Sequence, residues 1–328
     1  MLKSPKPDNL IIFPPPPDTT RIQFLTFINT SQDISGKQSR FSKFMFGEQK
    51  PKPIVRPYGI QTWKNRLYIC DTGIGGIELI DFSEGSFDYF QPGGKGQLKL
   101  PLNCFVDDAG KLFVADGNRK QIVVFDEEGK YLDAFGETEN FKPTDVAIYK
   151  DKIFVANILG HQICVYDTIE HKLLYTIPEQ QPDKNNRLYQ PTNITVTNDM
   201  IYVSDFGDFT IKVYSINGKF ITSVGGYGRS PGQFTRPKGI ETDRKGNLFV
   251  VDAAFENVQI FDSHGSLLMF FGGTGNMNLP AGISISYDDL SYFNDLVDES
   301  YTLKYLIFVT NQFGSNKIGV YGFVEPRE

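Results

Sequence analysis

The stretch Gly225-Gly-Tyr-Gly228-Arg-Ser-Pro-Gly232-Gln-Phe234-Thr-Arg-Pro237-Lys-Gly239-Ile240-Glu-Thr-Asp243-Arg-Lys-Gly246-Asn-Leu-Phe-Val-Val-Asp252 holds three signals in a fixed order. A Pro-x-Gly-apolar tetrad, Pro237–Ile240, opens a strand-like run, Lys245-Gly246 supplies a turn, and Phe249-Val-Val-Asp252 is an apolar run closed by a carboxylate. Outward from this stretch the tetrad recurs, with Gly, Asn or Asp in its third place, at Pro57, Pro101, Pro143, Pro191, Pro237 and Pro280. Successive copies lie 44, 42, 48, 46 and 43 residues apart. The second signal recurs with it, as Tyr68-Ile-Cys-Asp71, Phe113-Val-Ala-Asp116, Phe154-Val-Ala-Asn157, Tyr202-Val-Ser-Asp205 and Phe308-Val-Thr-Asn311. Alternating strands such as Gln121-Ile-Val-Val-Phe-Asp126 follow, and Asp108-Ala-Gly110, Glu127-Glu-Gly129 and Asn217-Gly218 mark tight turns.

Four short β-branched and aromatic strands per period of about 45 residues describe one blade of a β-propeller, so six periods predict an all-β, six-bladed ring. The 28 Phe and 16 Tyr are then wedge packing between adjacent sheets. The last period is one strand short. Residues 21–28, Arg21-Ile-Gln-Phe-Leu-Thr-Phe-Ile28, are expected to complete the sixth blade as its outermost strand and close the ring. The division that follows is an extended Pro-rich segment over 1–20, the closing strand over 21–28, a connecting loop over 29–56 and the propeller over 57–328. Within the loop, Phe41, Phe44 and Met45 have helical spacing, which suggests a short amphipathic helix plugged onto the propeller or offered to a membrane or partner.

The quoted stretch resembles an NHL repeat almost position for position, and weaker copies cover residues 57–328. Phe13-Pro-Pro-Pro-Pro-Asp18-Thr-Thr-Arg21-Ile-Gln-Phe-Leu with Arg56-Pro-Tyr-Gly-Ile60 is similar to a bacterial group of exported six-bladed NHL propellers, often lipoproteins. The resemblance implies a periplasmic or extracellular protein whose signal has been removed, and extracellular electron-transfer proteins among its partners. The N-terminus itself has no apolar signal core, which fits either a removed signal or a cytoplasmic chain.

Composition narrows the function. Hydrophobic residues at 40% and charged residues at 22% exclude a disordered chain, and no apolar run is long enough for a membrane span. A net charge of −6 argues against nucleic-acid binding by phosphate neutralisation. Residues 1–60 carry nine Lys/Arg and four Asp/Glu, hence +5, and the remainder carries −11. That asymmetry suits an acidic surface or a solvated face. Cys70, Cys104 and Cys164 sit in apolar runs without metal or Cys-x-x-Cys spacing and read as small buried hydrophobes. Residues 288–300 insert five acidic residues into the last period and lack a calcium-hand pattern, so they read as a surface excursion or an opportunistic calcium site.

Because strands run up and down in a blade, the tetrads and the turns after the second strands share one end of the ring. That end offers Tyr58, Arg119, His161, Phe206, Phe209, Phe255 and Phe313, the residue types that anchor interfaces. The leading expectation is a non-enzymatic scaffold, outside the cytoplasm, presenting these residues to a protein, peptide or glycan. The tetrad's third residue is Asn103, Asp145 and Asn193 in three consecutive blades and Gly in the others. Related gluconolactonase-type hydrolases hold a divalent cation with such side chains, so the alternative expectation is a calcium-dependent lactonase-like enzyme with a metal on this trio at the channel mouth. Asn, Asp and Gly also interchange wherever a turn needs them, and the Asp or Asn closing every second strand reads as a turn lock. Other chemistries fit poorly. Amidating lyases of this fold use His-bound zinc, whereas only His161, His171 and His264 are present and the last two fall in turns at the opposite end. Neither a nucleophile elbow nor a nucleophile–base pair is visible. Glu179, Asp208 and Glu256 dilute Arg119, Arg229 and Arg236, unlike the basic face of RNA-binding NHL domains.

Overall fold

The computed structural model describes residues 10–35, 50–136, 139–179, 183–273, 275–288 and 290–327. Each tetrad proline opens an inner strand: Pro57–Trp63, Pro101–Val106, Pro143–Tyr149, Pro191–Thr197, Pro237–Thr242 and Pro280–Ser286 begin blades 1 to 6. Proline is tolerated there because the first strand residue need not donate to the ladder. The register slips just after each proline, for example between Pro143 and Asp145, so the tetrad encodes a β-bulge. Blades 1 to 5 are four-stranded antiparallel sheets in chain order, and inner strands of neighbouring blades lie side by side around the ring.

One apolar cluster fills each of the six gaps between blades. Cys70 and Cys104 lie in the wedge between blades 1 and 2 and Cys164 in the next, all buried free thiols, as their apolar surroundings predict. The sixth blade joins both ends of the chain. Ile22–Ile28 pairs with Ile318–Pro326, from Ile22 opposite Phe323 to Ile28 opposite Ile318. The place outside it, expected to be empty, is taken by the two-residue strand Ile12–Phe13. The prolines after Phe13 turn the chain back, and Thr20 Oγ1 donates to Pro14 O to hold that turn.

The acidic insertion is a correction to the surface reading. Its helical turn Leu290–Phe293 drives Phe293 into the wedge between blades 6 and 1, against Phe82 and Phe308. Gln23 of the closing strand, itself buried, donates from Nε2 to Leu296 O and accepts Asp298 N–H at Oε1. The insertion is thus bolted to the closure, because its aromatic residues outweigh its charges in choosing a place. The expected helix over Phe41, Phe44 and Met45 lies outside the described residues; nearby Ile34 and Ile54 are buried in the same wedge. Among the described residues no helix is long and apolar enough to cross a membrane.

Candidate functional site

The proline end of the ring is built on the residue that closes each second strand. Asp252, fully buried, accepts N–H groups from Thr235 and Arg236 on the incoming loop and from Ala254 and Phe255 in its own turn. Asp71 and Asp116 make the same four-way clasp, while Asn157, Asp205 and Asn311 hold the incoming loops. A buried carboxylate saturated by N–H donors fixes both loops relative to the sheet. Repetition in every blade makes this a scaffold device.

The seven residues expected at this end are all on it, in different circumstances. Phe206 and Phe209 face each other in the blade 4 turn with ring centroids 6.3 Å apart, and Phe209 meets Tyr227 edge-on at 4.9 Å. Tyr227 is 70% exposed. It belongs to the loop entering blade 5 and was not among the expected residues, although it stands inside the deciding stretch. A glycine-flanked aromatic in a loop was the available signal. His161 Nδ1 contacts Tyr189 O and borders a groove of about 440 Å³ between blades 3 and 4, lined also by Arg187, Glu179 and Pro178. Phe313 is exposed under Arg56, whose guanidinium lies 4.9 Å from the ring, and Phe255 is half-buried.

Two of the seven are engaged internally. Arg119 donates to Lys95 O and Gln97 O and, from Nε and a terminal nitrogen, to Gln121 Oε1, so its guanidinium clamps its own entry loop. Tyr58 Oη accepts Lys238 Nζ at 2.7 Å, and the ammonium lies 4.9 Å from the Tyr58 ring. This pair joins blades 1 and 5 above the axis.

Beneath it the tetrads' third residues form a ring around the axis. Glycine is required on one side: a Cβ at Gly59 would fall 2.0 Å from Asn103 Oδ1, and at Gly282 or Gly239 2.5 Å from a neighbouring carbonyl. Asn103, Asp145 and Asn193 occupy the other side, all buried. Asn103 Nδ2 donates to Thr144 O. Asp145 accepts Val146 N–H at Oδ1 and both Ile194 N–H and Asn193 Nδ2 at Oδ2. These donors do not suit a metal, since the Asn193 amide turns its NH2 toward the one carboxylate of the trio. Among the described residues no three His, Cys, Asp or Glu side chains could hold a metal ion together. His171 is taken up by Asp133 at 2.7 Å and by stacking on Phe135 at 4.5 Å, and His264 sits in a blade 5 hairpin.

The trio was expected at a channel mouth. It instead borders a cavity of about 250 Å³ that extends toward the opposite end, to Thr197 and Thr242. The wall includes Gln61, Thr195 and Glu241. Glu241 was missed by the sequence reading, yet it stands two places after Gly239, where strand alternation returns a side chain to the axis. Its Oε1 accepts Thr242 N–H at 2.9 Å and the Thr195 hydroxyl at 3.3 Å. Desolvation pushes Asp145 and Glu241 each up to about 7.

Comparisons with known proteins agree with the architecture. A family described as a 6-bladed beta-propeller, DUF5128, matches residues 181–321. Protein brain tumor of Drosophila melanogaster is 26% identical over 178 residues, which cover 54% of this chain and 13% of that protein. The E3 ubiquitin-protein ligase NHLRC1 of Homo sapiens is 28% identical over 112 residues, 33% of this chain and 27% of that one. The chain therefore spans well under half the length of these curated relatives. Among solved structures, a streptogramin B lyase superposes with a TM-score of 0.58 at 14% identity, covering 82% of this chain and 94% of that chain. A gluconolactonase from Xanthomonas campestris gives 0.60 at 15% identity, covering 95% and 91%. At such identities the likeness is one of fold, which hosts unrelated chemistries.

Proposed function

We propose that this six-bladed β-propeller of NHL-like repeats is a non-enzymatic binding scaffold whose proline end docks a polypeptide across blades 3 to 5. The observation that carries the reading is the Phe206–Phe209–Tyr227 cluster. Tyr227 is exposed and Phe206 and Phe209 are half-buried beside it, so the three rings bring large contact area at low entropic cost, and a groove of about 440 Å³ beside His161 can take a side chain next to them. The lactonase-like alternative is not favoured, because Asp145 is already engaged by three N–H donors, one of them the Asn193 amide that would have to turn its oxygen to a metal. The resemblance of residues 13–60 to exported propellers supports a partner met outside the cytoplasm.

The test is affinity capture from cells that make the protein, run in parallel on the wild type, the double variant Phe206→Ser/Phe209→Ser, and Tyr227→Ser. A polypeptide retained by the wild type and lost by both variants, at melting temperatures close to that of the wild type, supports the reading. Retention by all three overturns it. Tyr227 is too exposed to contribute wedge packing, so Tyr227→Ser separates lost binding from lost stability. Retention on a glycan array that Tyr227→Ser abolishes would replace the polypeptide with a carbohydrate partner.

A further inference from the structure

We propose that the polypeptide docked at the proline end is acidic, with an apolar or aromatic centre seated on Phe206, Phe209 and Tyr227 and with Asp or Glu on either side meeting Arg187 and Arg229. The inference rests on the docking reading above and names the partner's chemistry. The groove beside His161 and the three rings form one continuous strip. Tyr189 lines the groove and lies so close to the blade 4 turn that a Cβ on Gly207 would fall 2.7 Å from the Tyr189 Cβ. In the same turn Phe206 N–H donates to Gln190 O at 3.0 Å, and Phe209 meets Tyr227 of the loop entering blade 5. Arg187 lines the groove at one end of the strip, and Arg229 stands two residues beyond Tyr227 at the other.

Both arginines are exposed, and among the described residues neither guanidinium has a hydrogen bond, an ion pair or a ring against it. Arg119, at the same end, is instead folded onto the carbonyls of Lys95 and Gln97. Arg187 is the sharper case, because two buried side chains anchor its loop from below. Lys212 donates to Asn185 O at 3.1 Å and Tyr214 to Asn186 O at 2.9 Å, while Arg187 N–H itself donates to Asp183 O. A loop fixed up to the residue before fixes where the arginine leaves the backbone, which lowers the ordering cost of a contact made there. The acids at this end do not cancel the pair. Asp208 is spent on Lys212 at 2.7 Å, and Glu256 borders a separate cavity with the blade 6 loops. Glu179 is the one acid lining the groove, and no ion pair joins it to Arg187. Free positive charge thus flanks an aromatic strip on a chain whose net charge is −6. The guanidinium fork matches a carboxylate bidentately, and cations at a rim favour an acidic partner and repel a basic one. A groove of about 440 Å³ takes a side chain that reaches into it, which a flat anionic lipid surface does not supply.

The test is an array of short peptides whose centres are drawn from apolar and aromatic residues and whose flanks are Asp/Glu, Asn/Gln or Lys/Arg, probed with the whole chain. Expected is retention concentrated in the acidic series and lost at high salt. The double variant Arg187→Gln/Arg229→Gln should weaken acidic peptides by about three- to tenfold at an unchanged melting temperature, both side chains being exposed. Glu179→Gln removes the groove's own acid and should strengthen the same peptides, a sign that lost stability does not imitate. Tyr227→Ser should release every series. Hits spread evenly over the three series, or acidic hits that the arginine and Glu179 variants leave unchanged, overturn the acidic partner, and their loss in Tyr227→Ser then still upholds the docking surface. An array without hits, or hits indifferent to Tyr227→Ser, overturns the docking reading and this inference together. Retention on phosphatidylglycerol vesicles that the arginine variant abolishes, with no peptide retained, would put a lipid surface in place of the polypeptide and overturn the proposal.

Discussion

Asp252 draws four backbone N–H groups to one carboxylate, and removing it would strand all four in a buried turn. Asp252→Ala is expected to cost about 3 kcal/mol or more, measurable by urea denaturation, and calcium should not change that cost. Other buried acids act through protons. Glu78 is fully buried, neither of its oxygens has a hydrogen-bond donor, and desolvation with the neighbouring Asp71 carboxylate pushes it up to about 10. Asp145 and Glu241 sit at about 7. All three bind a proton more tightly in the folded chain than in the unfolded one, where carboxyls titrate near ~4. Unfolding therefore releases protons above that value, and stability falls as pH rises, through ~4 to 7 for Asp145 and Glu241 and on toward 10 for Glu78. Melting temperatures across this range check the sign. Glu241→Gln should flatten the fall only up to about pH 7, and Glu78→Gln across the whole window up to about 10.

The closing strand is the element on which the ring depends. Leu25 and Ile28 are 1% exposed and share a cluster with Phe82 and Phe308, so the N-terminal strand packs the wedge between the last blade and the first. Leu25→Ala should cost roughly 2–5 kcal/mol. Gln23→Ala should cost about 1–3 kcal/mol and raise amide exchange at Asp298, the N–H it releases. Outer strands behave differently. In blades 2 to 5 each has a bulge, at Leu132, Leu174, Ile221 and Leu268, and every one of these side chains is exposed. A bulge twists the edge out of register for pairing with another chain, which offsets the hazard of an apolar residue there.

In the whole molecule the repeat and the docking surface obey different logic. A ring of six similar blades repeats its structural residues six times and its functional ones once, so whatever recurs reads as scaffold. The closing strand was legible because the last period lacks one, and tetrads, turn-closing carboxylates and wedge aromatics because each is local, or is copied at a period of about 45 residues. The direction of Asn103, Asp145 and Asn193 toward the axis was legible for the same reason. What they border was not: the depth of the axial cavity depends on how closely Gly59, Gly239 and Gly282 bring three inner strands together, and on Lys238 reaching Tyr58 across the sixth blade. Arg119 and Phe206 look alike as candidates in the sequence, yet one folds back onto carbonyls of its own loop and the other joins a neighbouring blade's tyrosine through Phe209. The insertion at 288–300 shows the same division, its acids suggesting solvent and its Phe293 finding a wedge that exists only once the ring has closed. The sequence by itself determined the blade and its count, because strand period and turn chemistry act between near neighbours, and the closure of the ring, because the last period is one strand short and residues 21–28 are a strand without a blade. Only the tertiary structure decided which side chains remain free and which polar atoms lack partners, because those depend on residues that approach from other blades.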